Sequence, residues 1–159
     1  MKNIDFNKPT KLVSTFLGKT HANTNKALFI RSCENQGNLS GTICGWTDMK
    51  LTDHGRRQAF LLNSVYESNK HLIHRVYSSD LQRCIDTAFY TMGFPSKENA
   101  FVQSKLLREM NFGETEGLHY DGLTSDQKDD INSPDYHAPN GESYLQVKER
   151  VQSLFRDIS

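Results

Sequence analysis

The chain has 159 residues, and its nineteen basic side chains cancel its nineteen acidic ones, which excludes a protein that grips a phosphate backbone by bulk charge. With 36% hydrophobic and 24% charged residues it has the makings of one packed domain, not a disordered segment, and no apolar run nears the roughly 18 residues of a membrane span. Three cysteines (Cys33, Cys44, Cys84), an odd number without short paired spacing, make neither a disulfide framework nor a zinc site, so a reducing compartment is expected.

Residues 1–26 carry five lysines against one aspartate. Leu12, Val13, Phe16 and Leu17 fall at near-helical spacing, so this segment reads as an extension: solvated, or a helix lying on the domain. A mitochondrial import signal is the alternative, although such signals are usually rich in arginine, which the segment lacks. The unbroken apolar run at 27–31 predicts a short buried strand. A polar loop rich in Gly, Asn and Thr follows over 35–50. "LTDHGRRQAFLLNSVYES" predicts a helix with Thr52 as N-cap and Ala59, Leu62 and Val65 on one face. Arg75–Tyr77 has a strand signature. Ser79 and Gln82 then form a capping-box pattern that opens a helix carrying Leu81, Ile85 and Ala88. A weak strand is expected near Phe101–Val102, and 106–141 reads as loops around one short helix. "GESYLQVKERVQSLFRDIS" is the clearest helix, with Val147, Val151, Leu154 and Ile158 on one face and Phe155 beside them. Successive strand–helix units predict an α/β domain with a parallel sheet.

Parallel sheets bind ligands at the carboxyl ends of their strands. Arg31 follows the first predicted strand, and Arg83 opens the helix after the second. Together they would make an always-charged fork for a phosphoryl group, with Asn38 adding an amide donor and Glu109 a carboxyl able to protonate a leaving oxygen. Taken singly, each of these residues has an ordinary surface or turn role. No cluster at ligand spacing calls for a metal or organic cofactor.

The order of these residues resembles that of branch 1 of the histidine phosphatase superfamily, the phosphoglycerate mutase-like proteins, and is most similar to the TIGAR-type sugar bisphosphatases. The family's R-H-G-E strand end, with Asn four positions after the acidic residue, reads here Arg31-Ser32-Cys33-Glu34 and Asn38. "GWTDMKLTDHGRRQA" (45–59), "SSDLQRCIDT" (78–87), "LREMNFGETEG" (107–117) and "GES" (141–143) match the family's further motifs in order. The resemblance implies a three-layer α/β/α phosphoglycerate mutase-like fold with a mostly parallel sheet over 27–159. It implies a phosphate pocket of Arg31, Asn38 and Arg83, a general acid at Glu109, and specificity loops at 42–50 and 112–120.

The resemblance breaks at Ser32, which stands where the family has its phosphoacceptor histidine. An imidazole with a pKa of about 6.5 is nucleophilic near neutrality, whereas a serine hydroxyl needs an adjacent base. Cys33, in place of the family glycine, is expected to be a small buried side chain and not a substitute nucleophile. His54 falls in a variable place of a matched motif and is expected on the surface. The family's second histidine, in a V-x-H-G strand end after the last helix, has no counterpart before Ser159. The resemblance thus implies a C-terminally truncated domain whose bare sheet edge either continues in a longer chain or is covered by a partner protein. The expectation is a cytoplasmic pseudophosphatase that binds a phosphorylated small molecule or phosphopeptide, or serves in assembly. An active phosphatase of fructose 2,6-bisphosphate, or a phosphoglycerate mutase, is the alternative.

Overall fold

The computed structural model describes residues 13–16, 27–93 and 100–158. Its elements are β1 (Val13–Phe16), β2 (Ala27–Ile30), α1 (Gln36–Ser40), α2 (Asp53–Leu61), α3 (Asn63–Asn69), β3 (Arg75–Ser78), α4 (Gln82–Met92), β4 (Ala100–Gln103), α5 (Ser125–Asn132) and α6 (Tyr144–Ile158). β3 and β4 pair in parallel, Arg75 opposite Ala100, across the α4 crossover. That is the βαβ unit the alternating elements predicted, because parallel neighbours need a long connection.

Two expectations at the front of the chain are corrected. Residues 13–16 are neither helical nor solvated coil: they form a strand antiparallel to β2, with Val13 opposite Ile30. The Val-Ser-Thr-Phe sequence suits an extended backbone, and β2 supplies the ladder. The rest of the predicted extension, with Leu12 and Leu17 of its helical face, lies outside the described residues. Nor is β2 buried. Phe29 is 41% exposed and Leu28 and Ile30 are close to it, because among the described residues β2 pairs only with β1. Its cover on the helix side includes the Phe155 ring of α6, at 6.1 Å from that of Phe29.

The core begins where β2 ends. Cys33 and Ala59 are fully buried and join Leu51 and Leu62 in one cluster, so Cys33 packs as a small apolar group, and burial pushes its thiol pKa up. The predicted polar loop holds one surprise, the five-residue α1. Asn35 and Asn38 cap it reciprocally, each side-chain oxygen accepting the other's backbone N–H at 3.1 Å, and Gly41 ends it at φ 70°, the left-handed region open to glycine. Two asparagines three apart thus replace the Ser/Thr and Glu/Gln of the usual box.

Thr52 caps α2 as predicted. Its Oγ1 accepts the Gly55 N–H at 2.9 Å and donates to Glu34 Oε1 at 2.5 Å. Gly55 allows this approach, since a Cβ there would lie 2.0 Å from the Glu34 carbonyl oxygen. Thr52→Ala is expected to cost about 1 kcal/mol, read as a fall of roughly 2–4 °C in Tm by calorimetry; an unchanged Tm would show that the cap contributes nothing. The predicted single helix breaks at Leu62 into α2 and α3, and α4 packs across both. Thr91 Oγ1 donates to the Ala59 carbonyl and Asn63 Nδ2 to the Thr91 carbonyl.

At the start of α4 the predicted capping box does not form. Ser79 Oγ accepts Leu81 N–H at 3.3 Å, and the N–H groups of Gln82 and Arg83 turn to the Asp48 carboxylate at 2.6 and 3.4 Å. A carboxylate from another loop outcompetes a local hydroxyl because a charged acceptor bonds the helix N-terminus more strongly. Segment 106–141 is made of single 3₁₀ turns and α5, which Thr124 and Gln127 cap. Ser143 and Gln146 cap α6 in the same way, and Leu154 of its predicted face is buried. No described helix is long and apolar enough to cross a membrane.

Candidate functional site

Two loops meet at the carboxyl ends of β2 and β3. Arg31 leaves β2 exposed and Ser32 is half-buried behind it. The buried Cys33 N–H then donates to Thr87 Oγ1 at 3.0 Å, and that hydroxyl donates to the Arg83 carbonyl at 2.7 Å. Thr87 therefore fastens the Arg31 loop to the helix turn that carries Arg83, which accounts for a threonine four residues after the arginine.

Arg83 is only 1% exposed, so most of its guanidinium faces protein. Nη2 donates to the Gly45 carbonyl at 2.6 Å and to Glu109 Oε2 at 3.4 Å, and Nη1 donates to the Thr47 carbonyl at 3.0 Å. Asp48 Oδ1 lies 3.7 Å from Nη1. The structure thus makes the two predicted arginines unlike one another: Arg31 is exposed, and Arg83 is encased with its guanidinium fixed by carbonyls. The Arg83 charge is felt at Glu109, Cys44 and Cys84, and the Arg31 charge at Glu109, so a positive field converges on one carboxyl group.

That carboxyl is Glu109. Its side chain keeps 43% exposure, yet lost hydration pushes its pKa above the ordinary carboxyl value, against the pull of Arg83 and Arg31. Lost hydration wins, which biases the group toward the protonated form a general acid requires. Its backbone is held from two sides, with Trp46 Nε1 and Arg150 Nη2 donating to the Glu109 carbonyl at 3.1 and 2.8 Å. Arg108 forms a two-bond fork on Asp80 at 2.7 and 2.6 Å and lies 4.8 Å from the Trp46 ring centre. Asn38 is exposed on α1. Its Oδ1 is taken by the cap, so Nδ2 is the group it would offer an anion. His54 is exposed on α2 and meets Gln58.

The residues that hold the site together were not singled out from the sequence. Glu116 takes four donors: Trp46 N–H at 2.7 Å and Phe112 N–H at 3.1 Å on Oε1, Thr47 N–H at 2.6 Å and the Thr47 hydroxyl on Oε2. Burial would raise its pKa, and the hydrogen bonds from Thr47, Trp46 and Phe112 outweigh that and leave it below the usual value. Gly45 lies so close to this carboxylate that an added Cβ would stand 1.9 Å from the Met110 carbonyl oxygen and 2.8 Å from Glu116 Oε1. Glu142 accepts Asn111 N–H and the Arg150 fork. Each lies inside a matched motif, but a motif match assigns no role.

Fold and site together describe an α/β domain with two arginines of different exposure around one raised-pKa carboxyl, an arrangement suited to an anionic oxygen ligand. The chain belongs to the histidine phosphatase superfamily (branch 1), whose family model matches residues 27–159. It is 30% identical over 99% of its length to 6-phosphofructo-2-kinase/fructose-2,6-bisphosphatase of Arabidopsis thaliana, of which it spans 21%. It is 31% identical over 64% of its length to 2,3-bisphosphoglycerate-dependent phosphoglycerate mutase of Buchnera aphidicola, spanning 45% of that protein. Among solved structures it is similar to phosphoglycerate mutase from Thermus thermophilus, with a TM-score of 0.63 and 31% identity, over 79% of this chain and 68% of that one. The phosphoglycerate mutase-like fold is therefore that of this chain.

Proposed function

We propose that residues 27–159, with 1–26 as an extension whose Val13–Phe16 strand pairs with β2, hold a phosphorylated small molecule and do not pass its phosphoryl group through the protein. The observation that carries this reading is Ser32, at the place where the family resemblance calls for the phosphoacceptor imidazole. A serine hydroxyl is not ionised near neutrality and needs an adjacent base to attack, and hydrolysing a phosphate monoester takes accelerations up to the order of 10²¹. Arg31 would bind the phosphoryl oxygens directly, with Asn38 Nδ2 as a further donor. Arg83 would supply fixed charge, and Glu109 in its protonated form would hydrogen-bond a phosphate-ester oxygen. Three free cysteines suit a reducing, cytoplasmic compartment.

The test is calorimetric titration with inorganic phosphate and sugar bisphosphates, alongside an assay of phosphate release. Binding is expected to weaken at least about tenfold in Arg31→Ala, the loss of one charge-assisted contact, with no phosphate released by either protein. No heat at millimolar ligand would remove the binding reading in favour of a role in assembly. A second reading, an active fructose-2,6-bisphosphatase, is favoured by the raised pKa of Glu109, which suits a leaving-group acid. Phosphate release from fructose 2,6-bisphosphate that disappears in Arg31→Ala would replace the first reading with it.

A further inference from the structure

We infer that Glu116, which touches neither arginine, is the positioning residue that sets Arg83, acting through the Gly45–Trp46 peptide. The inference rests on the binding reading for its consequence, but not for its geometry. The N–H of that peptide unit belongs to Trp46 and donates to Glu116 Oε1 at 2.7 Å. Its C=O belongs to Gly45 and accepts Arg83 Nη2 at 2.6 Å. A peptide unit is planar, and these bonds are trans throughout the described residues, so its N–H and C=O point in opposite directions. Glu116 and Arg83 therefore hold the two ends of one rigid plate, and the plate cannot tilt toward either without leaving the other.

The next residue also meets both partners, through two successive peptide units instead of one plate. Thr47 gives its N–H and hydroxyl to Glu116 Oε2 and its carbonyl to Arg83 Nη1 at 3.0 Å. Two guanidinium bonds thus end on a loop whose N–H groups converge on a single carboxylate, and residues 45–47 belong to no helix or strand that would hold them otherwise. Hydrogen bonds in a chain polarise one another, so a carboxylate pulling on the N–H strengthens the carbonyl as an acceptor for the arginine. Gly45 lets the carboxylate come this close. The fourth donor, Phe112 N–H, ties the same carboxylate to the loop at 112–120, so a ligand that moves that loop would reach Arg83 through Glu116.

A merely structural staple would lower stability and leave the Arg83 environment alone in the folded protein. The test is therefore the guanidinium resonances of Arg83 in ¹⁵N-labelled protein without ligand, followed by titration with inorganic phosphate. In Glu116→Gln an amide keeps the volume but turns a donor toward one of the N–H groups. The Arg83 Nη protons are expected to exchange with water at least several-fold faster, and phosphate affinity to fall about fivefold or more, while Glu149→Gln on the exposed face of α6 changes neither. Thr47→Val, which removes one of the four donors from an exposed side chain, is expected to shift the Arg83 resonances in the same direction and keeps the test open if Glu116→Gln fails to fold. Arg83 resonances unchanged in either folded variant would overturn the inference. Wild-type protein that takes up no phosphate would sink the binding reading alone, because the Arg83 resonances decide the positioning role without a ligand.

Discussion

Arg83→Met is expected to unfold at a Tm roughly 6–20 °C below that of the wild type, a loss of about 3–5 kcal/mol. Methionine follows the aliphatic part of the side chain but carries no donor. The Gly45 and Thr47 carbonyls would then lose their donors in a site where Arg83 is 1% exposed, and the Glu109 carboxylate would lose the cation at 3.4 Å. The loss is large because one partner of a desolvated network is removed and the others stay. Arg83→Lys is expected to recover less than half, since a point charge cannot brace two carbonyls in a fixed fork. Calorimetry of the three proteins checks this, and a loss below about 1 kcal/mol in Arg83→Met would mean that the buried guanidinium is poorly compensated already in the wild type.

Arg150→Met is expected to cost about 3 kcal/mol for a related reason, with a further consequence at the site. Arg150 stands on α6 with 13% of its side chain exposed. It places a fork on Glu142 at 2.8 and 3.0 Å and reaches the Leu106 and Glu109 carbonyls at 2.8 Å each. One side chain thus clips the last helix to the segment that carries the candidate acid. Its removal should loosen Glu109 even in molecules that remain folded. Denaturant unfolding of Arg150→Met, Glu142→Gln and the double variant is expected to give a coupling of roughly 1–3 kcal/mol. Strict additivity would show that the fork carries no energy of its own.

These two arginines mark the boundary between what was legible and what was not. Arg83 was singled out from its motif and its place after a strand, and its guanidinium lies 3.4 Å from Glu109. Its burial, and the carbonyls that brace it, were not foreseen. Arg150 sat on a well-predicted helix and was not singled out. Glu116 and Asp48 lay inside the loops expected to set specificity, and neither was singled out for a role of its own. In each case the partners include backbone groups, and a backbone carbonyl or N–H carries no residue-type signature that a reader of sequence could follow.

The local errors have the same origin. Ser79 and Gln82 spell a capping box, but Asp48 reaches the helix end from 34 positions earlier in the chain and takes the N–H groups instead. The apolar run at 27–30 reads as buried because burial is the usual fate of such runs, yet how much cover a strand receives depends on neighbours that the run itself does not specify. The short α1 escaped notice because its reciprocal asparagines form a cap that the Ser/Thr–Glu/Gln pattern does not include.

By their order alone, the residues determined the helices with strong caps and apolar faces, the parallel β3–β4 unit, the family, and a serine at position 32 where the family resemblance calls for an imidazole. Those are properties of residues within a few positions of one another, or of motifs read in series, and they survive without any knowledge of contacts. Only the tertiary structure decided that one arginine is exposed and the other encased, that Glu109 is desolvated into a weaker acid, and that Glu116 holds, from 70 positions away, the peptide on which Arg83 rests. Exposure, hydration and hydrogen-bond direction are set by which surfaces meet, and that is fixed by packing in three dimensions, not by spacing along the chain.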